Sequence, residues 1–234
     1  MIYEDWKQWP ESGFLTYSDR EATYFDTLVR KLQIRRNAKV LEIGFGNGGL
    51  LGYMRSSGRS VFGVETNKVL IDRACGHGVT CYEGLSDVPS HEFDYIFLID
   101  VLEHVNQSTI PLLFEELERL LTPQGAVVLR SPNGHSPLGL SNQYGDPTHV
   151  TVVTIPKIEL WLQSAQSLRI TYGGWDLTPA SLRKPIYSIK NLVRMAMARV
   201  IEKIIRLIFR PQPAGLLSSN LLVILKRKDD CGGA

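Results

Sequence analysis

Residues 40–49 read Val40-Leu41-Glu42-Ile43-Gly44-Phe45-Gly46-Asn47-Gly48-Gly49. A short apolar run stops at a cluster of glycines, which predicts a strand, a tight turn and a helix start. Gly44, Gly46 and Gly49 fit G-x-G-x-x-G. Glycines in such a turn let the backbone approach a ligand, and the following helix presents free N–H groups. The next predicted strand, residues 60–64, is closed by Glu65, 21 residues after Gly44. A carboxylate there can accept both hydroxyls of a ribose. Turn and acid fit a dinucleotide enzyme as well as an adenosyl one; a ligand-free glycine turn and a solvated strand-end acid are the plain alternatives. Glu42 bears on the choice. An acid two residues before the first glycine suits an ammonium group better than a pyrophosphate, because like charges repel.

Outward from this unit, helical spacing of apolar residues predicts helices over 19–34, 68–76, 108–121 and 155–165. Further strands are expected at 79–82, 93–99, 126–129, 168–173 and 220–226. Strands alternating with helices indicate an α/β fold with a mainly parallel sheet. The 234 residues suit one large domain or a domain plus an appendage, and 44% hydrophobic content supplies a core. The three cysteines, Cys75, Cys81 and Cys231, show neither zinc spacing nor a disulfide framework. The acidic, aromatic start lacks the basic and apolar regions of a signal peptide, and no run of about 18 uncharged apolar residues exists. A reducing, cytoplasmic setting is expected.

The stretch 41–48 resembles motif I of class I S-adenosylmethionine (SAM) methyltransferases. Residues 94–105, Asp-Tyr-Ile-Phe-Leu-Ile-Asp-Val-Leu-Glu-His-Val, resemble their motif IV in its D-x-x-E-H form. Residues 121–126, Leu-Thr-Pro-Gln-Gly-Ala, resemble the turn into their fifth strand. The similarity covers about residues 20–175, with 220–227 as the closing strand. It implies a Rossmann-like sheet of seven strands, mainly parallel, with the last antiparallel. It also implies roles toward SAM, whose product is S-adenosylhomocysteine. Glu42 faces the amino group, and Gly44, Phe45 and Gly46 line the methionine and ribose, with Asn47 and Gly48 in the same motif. Glu65 holds the ribose hydroxyls and Thr66 borders the adenine. Glu83, Gly84 and Leu85 lie beside the adenine, and Asp100 and Val101 cap the sulfonium side.

After the fifth strand come Ser131-Pro132-Asn133-Gly134 and Tyr144-Gly145-Asp146-Pro147-Thr148-His149, followed by Thr151 and Thr154. A long loop at the carboxyl edge of a parallel sheet is a candidate lid or acceptor site. Pro-Asn, then Gly-Asp-x-Thr-His and a Thr five residues on, is similar to methyltransferases of bacterial surface-polysaccharide clusters, which implies a sugar-hydroxyl acceptor. Their usual Phe-Thr ending is Val153-Thr154 here. A hydroxyl needs its proton accepted as the new bond forms, and an imidazole suits this. His149 is the first candidate base, Asp146 its orienter or a second acceptor, and His104 the rival. No compact ligand set stands out in the sequence, so metal-dependent transfer is not expected.

Net charge is only +2, which argues against a whole-surface nucleic-acid binder. The charge is unevenly spread: residues 1–182 carry 15 Lys and Arg against 21 acids, and residues 183–228 carry 11 against one. Within 184–210, Ile186, Ile189, Val193, Met197, Val200, Ile204, Leu207 and Ile208 recur at helical spacing, accompanied by Lys190, Arg194, Arg199, Lys203 and Arg206. Such a helix spans roughly 36 Å. A basic residue at a bilayer centre costs about 2.5–3.5 kcal/mol, whereas at an anionic surface it gains about 1 kcal/mol. The expectation is a helix lying on the cytoplasmic face of a membrane; packing on its own domain or on a second copy is the alternative. The expected organisation is an N-terminal cap at 1–36, a SAM domain at 37–182 and 218–228, and a basic insertion at 183–217. Tyr3, Trp6, Trp9, Phe14 and Tyr17 belong to the cap, and Trp161 reads as core.

The expected activity is O-methylation of a saccharide or lipid-linked glycan. A methyltransferase of a quinone or other lipid-soluble molecule, and a non-catalytic scaffold, are the alternatives. No Pro-Pro-Tyr/Phe-type motif follows the fourth strand, and the acidic body disfavours RNA.

Overall fold

A computed structural model describes residues 13–177, 185–209 and 215–228. Tyr3, Trp6 and Trp9 of the expected cap lie outside these residues. Helix α1 (Asp19–Leu32) starts at a capping box: the Glu21 amide donates to the Ser18 hydroxyl, and the Glu21 carboxylate accepts from the Ser18 amide at 2.7 Å. Then follow β1 (Lys39–Ile43), α2 (Gly49–Ser56), β2 (Ser60–Val64), α3 (Lys68–Gly76), β3 (Thr80–Tyr82), β4 (Phe93–Ile99) and α4 (Ile110–Leu120). The chain continues through β5 (Leu121–Pro132), α5 (Pro137–Gly145), α6 (Ile155–Trp161), β6 (Leu168–Trp175), α7 (Pro185–Phe209) and β7 (Asn220–Arg227).

The strands form one seven-stranded sheet in the order β3-β2-β1-β4-β5-β7-β6. Pairings from β3 to β5 are parallel, and β7 runs antiparallel to both β5 and β6. The order reverses between β1 and β4, so the carboxyl ends of these two strands flank a crevice.

Strand alternation divides the core. Val40, Phe97, Val128 and Leu222 face α1 and α2, in a cluster with Phe25, Leu28, Tyr53 and Met54. Leu41, Ile96, Leu98, Val127, Leu129 and Val223 face the other side with Ile110, Phe114, Leu117 and Trp161, so Trp161 is core as expected. Strand β5 extends further at both ends than the predicted 126–129, and α6 stops at Trp161 rather than 165.

The segment read as a long loop contains α5. Ser136 caps it by accepting from the Leu138 amide, and Pro137 occupies its first turn. Its buried residues are Gly139 and Gln143, so it carries no apolar stripe for periodicity to find. Asn133 anchors this connection: its amide donates to Gly215 O and Ser218 O, and its side-chain oxygen accepts from His135 N.

Candidate active site

The glycine turn closes around Gly44, whose N–H donates to Val64 O at 2.8 Å. Its φ is +68°, and a Cβ there would stand 2.8 Å from Val101 Cγ2, so glycine is required twice over. Gly46 N donates to Glu65 Oε2 at 3.2 Å, while Glu65 Oε1 accepts from the amides of Thr66 and Asn67. The turn and the end of β2 are thus tied by one carboxylate. Glu42 lies buried behind them at 6% exposure, and its Oε2 has no hydrogen-bond partner among the described residues. Burial pushes its pKa well above the usual carboxylate range, opposed by a hydrogen bond from the Leu51 backbone. A ligand ammonium reaching this oxygen, directly or through a water, would complete its bonding.

A cavity of about 750 Å³ opens in front of the turn. Gly44, Gly46, Glu65, Thr66, Glu83, Gly84, Leu85, Asp100, Val101 and His104 all line it, so the fold gathers most of the expected cofactor positions on one wall. Phe45 departs from that expectation: its ring is buried, edge-on to Phe14 and against Gly63, and it packs core rather than ligand. Asn47 and Gly48 also do not line the cavity. The Asn47 amide donates to Gly13 O, and its carbonyl accepts from Leu15 N, which seats the N-terminal segment. That seat is tight, because a Cβ on Gly52 would lie 1.9 Å from Leu15 O.

The two candidate histidines are placed differently from their expected ranking. His104 lines the cavity, but His149 does not, and the His149 side chain is only 8% exposed. The main chain of 148–151 is laid along the turn after β4: Val150 N and Thr151 N donate to Glu103 O, and Thr151 Oγ1 donates to Val105 O. This seating brings the His149 ring edge-on to His104, with centroids 4.6 Å apart. Asp146 Oδ2 stands 3.8 Å from His149 Nε2, and Asp146 Oδ1 accepts from the Thr148 hydroxyl. Glu103 is fully buried beside the pair, and burial together with the Asp100 charge pushes its pKa up to about 8. Sequence reading placed Glu103 in the D-x-x-E-H motif but gave it no role of its own. It also missed that Glu103, His104 and His149 place one potential ligand atom each within 4.8 Å of one another. No ligand set stands out in the sequence because the third member of this group, His149, arrives through tertiary contacts.

Residues 17–167 match the methyltransferase domain family. The chain belongs to this family. The methyltransferase is similar in fold to a SAM-dependent methyltransferase from Archaeoglobus fulgidus, at TM-score 0.62 and 20% identity, covering 90% of this chain and 95% of that one. It is also similar to a SAM-dependent methyltransferase from Mesorhizobium loti, at TM-score 0.56 and 16% identity, covering 85% of this chain and 95% of that one. Of curated proteins, the cyclopropane-fatty-acyl-phospholipid synthase of Escherichia coli (strain K12) is 34% identical over 113 residues, or 44% of this chain. This chain spans 28% of that relative's length. SAM is the cofactor. Among the described residues, the unpartnered Glu42 oxygen, the glycine turn and Glu65 fit its ammonium, methionine and ribose parts.

The methyltransferase carries a second cleft, of about 690 Å³, that meets the first at Asp100. Asp100 has φ +55°, a strained conformation for a non-glycine residue, held by its N–H to Arg130 O at 2.8 Å. Arg130 binds Asp100 Oδ2 at 2.8 Å and Asp176 Oδ2 at 3.1 Å, and Tyr24 donates to Asp176 Oδ1. These charges outweigh desolvation and hold the guanidinium pKa above its ordinary value. Trp175, Asn191, Arg194 and Asn220 complete the polar walls.

Proposed function

We propose that this methyltransferase methylates a hydroxyl of a saccharide, on a glycan presented at an anionic membrane surface. The observation that carries the reading is the second cleft. Trp175, whose ring carries Arg199 6.0 Å from its centroid, borders the cleft beside donors and acceptors from Arg130, Asp176, Asn191, Arg194 and Asn220. A sugar ring has an apolar C–H face and hydroxyls that both donate and accept, and such a wall suits it. Bound SAM supplies a sulfonium methyl: the acceptor oxygen's electron pair forms the new bond as the C–S pair returns to sulfur. The hydroxyl proton has to leave in the same step, and His104, rather than His149, is the imidazole on the cavity wall.

Helix α7 supports the membrane part of the proposal. Its face toward the domain carries buried Ser188 and Glu202, with half-buried Asn191, Met195 and Ala198 between them. Its opposite face is apolar and exposed, from Ile186 and Ile189 through Met197 and Val200 to Leu207, which is 87% exposed. Exposed Lys190 and Arg194 flank that stripe on one side, and Arg199 and Lys203 on the other. No helix among the described residues is long and apolar enough to cross a membrane. An apolar stripe between basic borders suits the headgroup boundary of an anionic bilayer. Because α7 also walls the second cleft, docking would hold that cleft next to a lipid-linked acceptor.

The likeness to a phospholipid-modifying synthase favours a second reading, methyl transfer to a lipid-soluble acceptor. Transfer from methyl-labelled SAM into fractionated cell extract separates the two. Alkali-stable label in the glycan fraction is expected. Label confined to lipid or quinone fractions would replace the saccharide reading.

A further inference from the structure

Glu103, His104 and His149 form a cluster whose chemistry the cofactor does not use. The Glu103 side chain has no solvent exposure, and neither of its oxygens has a well-formed hydrogen bond among the described residues. The Ser131 hydroxyl beside it steadies the charge but is itself without a well-formed partner. A buried carboxyl group stays protonated or, once ionised, is paired or coordinates a metal, because leaving the charge bare is costly.

The imidazoles are oriented for the same purpose. The Thr148 hydroxyl gives its proton to Asp146, so His104 Nδ1, at 3.0 Å from Thr148 Oγ1 and 3.3 Å from Thr148 O, carries the hydrogen. His149 Nδ1 lies 3.1 Å from Gln143 O, which can only accept, so this ring also carries its hydrogen on Nδ1. In its neutral form each ring therefore keeps its lone pair on Nε2. Metal-binding histidines are held in this way, by donating the other ring N–H to an oxygen.

We propose that Glu103, His104 and His149 bind a first-row divalent transition metal through one carboxylate oxygen and the two Nε2 atoms. Two imidazoles and a carboxylate favour zinc, manganese, iron or cobalt over magnesium or calcium. Ligands about 2.1 Å from one ion lie roughly 3–3.5 Å apart, so the group, now within 4.8 Å, contracts on binding. The Asp146 carboxylate, 3.8 Å from His149 Nε2, adds counter-charge at the rim. Three protein ligands leave positions open, and His104 and Thr148 place the ion against the cofactor cavity.

The ion's role rests on the hydroxyl-acceptor reading above. An acceptor hydroxyl takes an open position, and coordination lowers its pKa. Its proton passes to water, its electron pair forms the bond to the methyl carbon, and the C–S pair stays on sulfur as the thioether. His104 then serves as a ligand in place of a base.

The test is a Co²⁺ titration of the chelator-treated full chain, followed by visible absorption, with S-adenosylhomocysteine binding measured in parallel. One Co²⁺ per chain is expected, displaced by Zn²⁺. His149→Ala and Glu103→Gln should each weaken Co²⁺ binding by about 100-fold or more, and Thr148→Val by about 10–100-fold through loss of a supporting contact. Retained S-adenosylhomocysteine affinity reports that each variant is folded. Absence of stoichiometric Co²⁺ from the wild-type chain, or equal affinity in His149→Ala, overturns the site. Metal bound as expected with no label in glycan would overturn the saccharide reading and leave the metal site standing.

Discussion

Glu42 is the residue whose cost and use are most plainly linked. Alone, its buried carboxylate lacks a partner for one oxygen and is pushed toward the neutral form. Its folded pKa lies above the unfolded value of about 4.3, so the ligand-free fold holds a proton that the unfolded chain releases. Stability of the ligand-free protein should therefore fall as pH rises above about 4.3, until the raised folded pKa is passed. Urea unfolding at pH 5 and pH 7 should show the decline, and Glu42→Gln should make it shallower, the remainder coming from Glu103, whose pKa is also raised. The same substitution removes a charge-assisted contact to the ligand amine. It should weaken SAM binding by about 10–100-fold in calorimetry, corresponding to roughly 1.5–3 kcal/mol. An unchanged affinity would detach Glu42 from the cofactor.

The proposals beyond cofactor binding rest on two elements. In α7 the side that packs on the domain carries Ser188, Asn191, Met195, Ala198 and Glu202, and the apolar stripe faces out. Val200→Ser with Leu207→Ser should change unfolding free energy by no more than about 0.5 kcal/mol per site, since both are exposed. The pair should nevertheless abolish co-flotation with vesicles containing anionic lipid. Self-association of the wild type without flotation would assign the stripe to a second copy instead. In the segment after α5, Thr151 Oγ1 donates to Val105 O at 2.6 Å and helps seat 148–151. Thr151→Val should cost about 1 kcal/mol of stability. It should lower turnover more than SAM affinity, read as a fall in kcat with little change in cofactor Kd.

Over the whole molecule, Arg130 joins what the sheet only brings near. It binds Asp100 at the end of β4 and Asp176 just past β6, and it stacks near Tyr24 of α1. Arg130→Met should destabilise the protein by on the order of 2 kcal/mol, because the largely buried Asp176 carboxylate loses its counter-charge, while Asp100, 46% exposed, is already screened by solvent. Thermal and urea unfolding should agree on the loss. A loss below about 1 kcal/mol would show that solvent already screens the network.

Legibility followed distance along the chain. The turn at 44–49, Glu65 and the D-x-x-E-H stretch were readable because strand, turn and ligand-facing atoms lie within a few residues of each other. The strand and helix succession was readable because burial on one face imposes its period on the sequence. Phe45 was misread because a motif position does not say which way a ring turns, and here it turns into the core. Helix α5 was missed because it buries a glycine and a glutamine instead of an apolar stripe. Which of His104 and His149 lines the cavity was not legible for another reason. His149 is 45 positions from His104, and bonds of Thr148, Val150 and Thr151 to residues 103–105 bring them together. The sequence by itself determined the fold class and the cofactor, through local propensity and near-neighbour motifs. Tertiary structure decided which imidazole meets the cavity, where Glu103 ends up and which face of α7 meets solvent, since contacts between distant segments depend on packing that no local pattern encodes.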